Sequence, residues 1–373
     1  MCKPQQTNDT FKSSTTDSSL LAKDEEWVSK LDLQAFAADI KQLGDALEKG
    51  QGVKDVNHLN KMVLWSNICA AVGLLSMWYS VNPLTIFCIS TWTCTRWTMI
   101  AHHTCHGGYD KCHPNKSRWN RFRFALGTVW RRACDWMDWM LPEAWNVEHN
   151  NRHHYCLSEI EDPDLVENNL KDVRELDVPV FVKYFLVFGA MLTWKFYYYS
   201  PNTYKELKLA RLRRTNQPLP SGAEPSDAVT LKSIALGTNP FYSFSEFLAV
   251  VIGPYMLIRF LLMPLPCYYI GNYLGMDGTA MFNTAMYNLL LAEILTNVHS
   301  FIIVVTNHAG NDMYRFRDGC KPFSGSFFLR QILASADFDM GTDGVDFMHG
   351  WLNYQIGKFL HRLSILYLIL YMH

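Results

Sequence analysis

None of the ten cysteines forms a Cys-x-x-Cys pair, so neither a zinc ribbon nor a thioredoxin-type redox site has support. Net charge is also nearly absent. With 34 lysines and arginines against 35 aspartates and glutamates, the formal balance is −1, which argues against nucleic acid as a partner. Residues 1–19 are rich in Ser, Thr, Asp and Lys and hold no apolar core, so no secretory signal is expected there, and 1–30 reads as a disordered polar leader. The longest absence decides the class. Between Met62 and Thr95 no side chain is charged, a run too long for one membrane crossing and long enough for two.

Asn82-Pro83 interrupts that run, because proline after a polar turn residue cannot continue a helix. Spans are therefore expected over about 62–81 and 83–100. Two more follow at about 247–270 and 279–305, separated by the short 271–278 stretch, so the chain reads as an all-α integral membrane protein with four transmembrane helices. Each late span carries one costly charge, Arg259 and Glu293, expected to face protein or headgroups rather than lipid. Residues 181–199 contain Lys183 and Lys195 and the aromatic run Trp194, Phe196, Tyr197, Tyr198, Tyr199, a pattern that fits a helix lying in the interface. Ahead of the spans, Phe36, Ile40, Leu43 and Leu47 recur at helical spacing before Lys49-Gly50, so the 31–60 region should hold an amphipathic helix packed on a cytosolic domain.

Lysine and arginine are missing from the Asn82 turn and the 271–278 loop, yet crowd the 107–178 segment. That asymmetry places this segment and both termini in the cytosol. It leaves only Cys267 near the opposite face, so the cysteines should be reduced. The basic stretch Lys205, Lys208, Arg211, Arg213, Arg214 reads as a solvated cytosolic helix, with anionic headgroups as its weaker reading.

Histidines are what the cytosolic side has in excess. His102-His103-Thr104-Cys105-His106 follows the second span, and His149-Asn150-Asn151-Arg152-His153-His154 lies in the next loop. Neutral imidazoles suit iron, zinc, copper or nickel, and residues i and i+4 on a helix share a face. His102 pairs with His106 in this way, and His149 with His153, which puts His154 on the neighbouring face and toward a different metal. His103 points elsewhere, to a supporting or surface role. Zinc-protease chemistry lacks its glutamate, since position 103 is histidine.

His102-x-x-x-His106 followed by Gly107-Gly108-Tyr109-Asp110, then Pro142-Glu143-Ala144-Trp145-Asn146-x-Glu148-His149-x-x-x-His153-His154, resembles the membrane-bound fatty acid desaturases. So do Thr306-Asn307-His308-Ala309-Gly310 and Gly350-Trp351-Leu352-Asn353-Tyr354-Gln355-Ile356, which extends the resemblance over 61–356. The resemblance implies four transmembrane helices under a helical cytosolic cap that carries the histidine boxes. It also implies two non-haem iron ions that use dioxygen to place a double bond in a fatty acyl lipid or acyl-CoA, in the endoplasmic reticulum. His102, His106, His149, His153 and His154 match the ligands, and His308 sits where relatives often place another. His299 is a poorer match. Asp135, Asp138, Glu148, Asp162 and Asp164 are the acids that could orient the ligand imidazoles. No His-Pro-Gly-Gly run marks a fused cytochrome b5, since His113-Pro114 continues with Asn115, so the family implies a separate cytochrome b5 with its reductase, or a ferredoxin.

The third box departs from the pattern. Where the family continues Gln-x-x-His-His, here Gln355-Ile356 is followed by Gly357-Lys358-Phe359, and neither a protonated lysine nor a phenylalanine offers a lone pair. Gln355 and His361 are the remnants, and 357–373 is an atypical tail whose abrupt onset suggests an alternative exon or a frameshift. A front-end desaturase is the first expectation, because glutamine opens the box. A catalytically impaired truncated or splice-variant homologue that binds lipid or a partner is the second, and an acyl hydroxylase the third.

Overall fold

The computed structural model describes residues 30–112, 118–165, 170–305, 315–316, 319–334 and 342–349, and among these the regular structure is helical apart from one bridge between Glu159 and Phe316. The expected leader at 1–29, His308 and the tail from Gln355 onward lie outside the described residues.

Asp32 starts the first helix, α1 (Leu33–Gly50), by accepting the backbone N–H groups of Gln34 and Ala35 at 3.0 Å each on Oδ1. Its apolar stripe buries Ile40 against Phe327 and Phe328. The next helix, α2 (Val53–Ser76), begins earlier than expected. Asp55 caps it by accepting the Gly52 N–H at 2.7 Å, so the charged turns at Lys54 to Lys61 belong to the same rod as the apolar ones, and the 31–60 region divides in two.

Asn82 and Pro83 turn the chain as the pattern requires. The Asn82 side chain accepts the Thr85 N–H at 2.9 Å, proline occupies the first turn, and α3 (Pro83–Thr95) runs back along α2. A Cβ on Gly73 would strike Ile89, which is why the two rods approach so closely there. From α3 the chain continues through a π turn, Arg96–Ala101, into α4 (His102–Cys105). Later come α5 (Pro142–Trp145), α6 (Val180–Met191), α7 (Ser200–Arg214), a long rod α8 (Phe244–Tyr273), α9 (Gly278–Val304) and α10 (Gly325–Leu333).

Among the described residues three helices, α2, α8 and α9, are long and apolar enough to cross a membrane. The expected span at 83–100 is helical but not among them. Its composition explains the difference: Thr85, Ser90, Thr91, Thr93 and Thr95 are all buried, because α3 packs between α2 and α9. Hydroxyl pairs fasten it on both sides, Thr95 to Ser66 at 3.2 Å and Thr296 to Ser90 at 3.1 Å. Asn288 of α9 adds a third tie, donating to the carbonyls of Met77 at 2.8 Å and Ser80 at 2.9 Å.

The 181–199 region departs from its expectation. Helix α6 exposes its apolar side chains and buries none, as an interfacial helix would, but Trp194 and Tyr199 are buried in the main core beside Trp97. Lys195 is wholly buried, with Nζ 2.6 Å from Oδ2 of Asp138 and 3.9 Å from Oε1 of Glu293. The chain bends by 73° between α6 and the helix that starts at Lys195. Arg259 and Glu293, the two charges in the late spans, both face protein. The basic helix α7 is only partly solvated, for Lys205 is buried and donates to the carbonyls of Pro225 and Asp227 at 3.0 Å each.

Candidate metal centre

His102 and His106 leave the end of α4 on one face, with ring centroids 4.6 Å apart. The helix stops because Gly107 takes φ +85°, a left-handed value suited to glycine, and a side chain there would collide with the Arg121 guanidinium that pairs with Asp110. The Gly-Gly-Tyr-Asp sequence after the first histidines is therefore a stop signal held by an ion pair.

The second segment is wound less regularly. Pro142 opens α5, a π turn covers Asn146–Asn150, and a single 3₁₀ turn follows at His153–Tyr155. This changes which histidines share a face. An α-helix would put His149 with His153, but here Nε2 of His154 lies 3.0 Å from Nε2 of His149, and that atom lies 3.3 Å from Nε2 of His102. Ligand atoms of His102, His106, His149 and His154, all buried, fall within 4.8 Å of one another and could hold a metal ion. The extra residue per turn brings i and i+5 together. His154 thus joins the first pair, in place of the separate metal expected for it.

His153 turns the other way, with Nδ1 2.8 Å from Oδ1 of Asp162. With His149 and Asp164 it forms a second group of metal-ligand geometry. Burial alone would lower the His153 pKa, but the Asp162 carboxylate reverses this and lifts it to about 9. Burial, then the surrounding imidazoles, hold His149 well below the ordinary histidine range, so it is neutral, as a ligand must be. Its membership of both groups matters, since each imidazole nitrogen has a single lone pair and His149 can serve two ions only through its two nitrogens.

Of the five acids expected to orient imidazoles, two approach His153: Asp162 bonds its Nδ1, and Oδ2 of Asp164 lies 3.7 Å from the same atom. Glu148 is buried and accepts the Tyr199 hydroxyl at 3.4 Å on Oε2, and burial followed by the nearby Asp164 raises its pKa well above the usual carboxyl range. The other two contact no histidine. Asp135 pairs with Arg118 and accepts the Ala125 N–H at 3.1 Å, while Asp138 holds Lys195. Both organise the loop around the site, and both lie in a segment whose ion-pair partners are distant in sequence. His103 is half-buried and belongs to neither group. His299 donates to the Met348 carbonyl, the role of an ordinary buried histidine.

Sequence reasoning missed the amide scaffold. Asn150 donates to the Cys105 carbonyl at 3.3 Å and to Oδ1 of Asn146 at 2.9 Å, which ties the second histidine segment to the first. Gln331 of α10, buried, donates to the His154 carbonyl at 2.9 Å. The i, i+4 spacing of Asn146 and Asn150 was a signal for the first contact; nothing local signals the second. Trp145 stacks on His149 at 4.2 Å and shields it from one side.

An apolar cavity of about 70 Å³ lies beside these groups, walled by Trp194, Tyr197, Tyr199, Phe301 and Val304 and reaching Asp164. No family model, no curated protein and no solved structure matches the chain.

Proposed function

We propose that the chain is a fatty acyl desaturase of the histidine-box type, acting on a lipid acyl chain with non-haem iron and dioxygen, and taking electrons from a separate cytochrome b5 or ferredoxin at the endoplasmic reticulum. The observation that carries this reading is the contiguity of the aromatic-walled cavity with the second histidine group, through Asp164. An apolar, aromatic wall of this kind suits a hydrocarbon chain. The donor set fits iron, being buried, imidazole-rich and close to neutral in charge. When bound, iron supplies the attack on an unactivated methylene that no side chain can make.

The protein's own residues do the rest. Trp194, Tyr199 and Phe301 exclude water from the chain's path. Asp162 fixes the His153 ring by accepting its Nδ1 proton, which turns Nε2 toward a ligand role. Burial and the neighbouring Asp164 raise the Glu148 carboxyl well above its usual range, which disfavours a second negative charge there.

A second reading is favoured by one feature: four histidines already make a closed coordination shell, as a structural zinc would have. The chain would then be a non-catalytic membrane protein holding one ion. The test compares the chain as written with Gly357→Glu, Lys358→His, Phe359→His, both expressed in a desaturase-deficient host with reductase and cytochrome b5. Loss of two hydrogens from host acyl chains with the restored box supports the desaturase, and an added oxygen marks a hydroxylase. No product from either, with one tightly held zinc per chain, establishes the second reading.

A further inference from the structure

Arg259 lies in α8 with 1% of its surface exposed, and none of its three guanidinium nitrogens has a hydrogen-bond partner among the described residues. A guanidinium keeps its charge at every physiological pH and presents five donors, so burying it with nothing opposite is strongly unfavourable. Its neighbours do not answer the charge. Lys195 occupies Asp138 and lies beside Glu293, and Glu293 also accepts the Tyr255 hydroxyl at 2.6 Å. Arg132, the other guanidinium of the region, donates through both terminal nitrogens to the carbonyls of Trp139 at 2.8 Å, Val250 at 3.0 Å and Val251 at 2.6 Å, which leaves only its Nε without a partner. The buried ionic groups around Trp139 are thus three cations, Arg132, Lys195 and Arg259, against the two carboxylates Asp138 and Glu293. The uncompensated positive charge sits on Arg259.

Arg259 lines a narrow cleft whose apolar wall is Val129, Ala133, Pro254, Ile258 and Met263; Arg132 and Asp138 also line it, the Asp138 carboxylate already holding Lys195. Leu257, Leu261 and Leu262, next to it on the same helix, are exposed. A buried cation in an apolar cleft, on a helix long enough to cross a membrane, matches one ligand chemistry: an oxyanion carried on a hydrocarbon chain. We propose that the Arg259 cleft binds an anionic amphiphile, with its carboxylate or phosphate oxygens on the guanidinium fork and its chain against Ile258 and Met263. This cleft shares no lining residue with the aromatic cavity beside the histidines, so the inference stands apart from the desaturase reading.

The full-length chain, purified in neutral detergent, is titrated with oleate, methyl oleate and dioleoyl phosphatidylglycerol, and followed by native mass spectrometry and by the thermal unfolding midpoint. Oleate or phosphatidylglycerol should give a one-to-one adduct and a higher midpoint, and methyl oleate neither. A response to oleate alone identifies a free fatty carboxylate as the ligand, and a response to phosphatidylglycerol alone identifies a headgroup phosphate. Arg259→Gln should weaken the adduct about tenfold or more. Met263→Trp, which fills the cleft and leaves the guanidinium in place, should do the same, and bound metal at the histidines reports that each variant is folded. Equal response to oleate and methyl oleate, no adduct with either anion, or unchanged binding in both folded variants overturns the proposal.

Discussion

Nδ1 of His153 lies 2.8 Å from Oδ1 of Asp162, both side chains are buried, and the carboxylate also accepts the backbone N–H groups of Ser158 at 2.8 Å and Asp164 at 2.9 Å. The imidazole is thereby held by a carboxylate that is itself held on both oxygens. Asp162→Asn should lower metal affinity by about ten- to a hundredfold, as loss of a ligand-orienting carboxylate does elsewhere. Competition with a chromogenic chelator measures it, and an affinity within twofold of the parent would remove Asp162 from that role.

The π turn at Asn146–Asn150 makes a sharper claim about the histidines. His154→Ala should cost as much bound metal as His106→Ala, because the two sit in the same group of four, whereas His153→Ala should strip only the weaker site. His149→Ala should affect both. In the parent chain we expect substoichiometric iron with one site better filled, and two tightly held irons would show that residues beyond these complete the centre. Elemental analysis of the four variants, purified in parallel, decides between these outcomes.

Burying Lys195 without its carboxylates would be costly, so Asp138→Ala should destabilise the protein by about 3 kcal/mol or more. Lys195→Met combined with Asp138→Asn should recover much of the loss, since removing both charges leaves neither one unpaired. The midpoint of thermal unfolding in detergent is the readout. A double variant no better than the single would mean that the pair has other structural duties.

Restoring the third box through Gly357→Glu, Lys358→His and Phe359→His should raise iron toward two per chain. The iron measurement is independent of turnover. If iron does not change, those positions contribute no ligands in this chain, and His361 becomes the next residue to replace.

Topology is checked directly. Tags at both termini and at Lys111 should report cytosol, and a tag at Asp277, which caps α9 by accepting the Ala280 N–H at 3.0 Å, the opposite face. A cytosolic report at Asp277 would contradict the hairpin orientation read from the loop charges.

Much of this architecture is legible in the order of residues, and the failures share one cause. The Asn82-Pro83 turn, the stop at Gly107 and the rods on either side of the 271–278 stretch follow from local rules of capping, backbone freedom and hydropathy. What escaped depends on contacts across the chain. Lys195 read as an interruption in an interfacial helix because its partner Asp138 is 57 residues away, and His154 read as facing away because a π turn leaves no mark in residue spacing. The hydroxyl-rich span at 83–100 escaped the same way: its burial between α2 and α9 is a property of the bundle.

The Asn150 carboxamide bridges the two histidine segments through the Cys105 carbonyl without using any ligand nitrogen. Together with Gln331 on the His154 carbonyl, this fixes the backbone that carries the imidazoles by contacts that need no ion. An ion bound there would meet segments already tied to each other, unlike the small domains that fold only around their zinc. If those amide contacts suffice to hold the imidazoles, a chelated sample should refill quickly and without refolding.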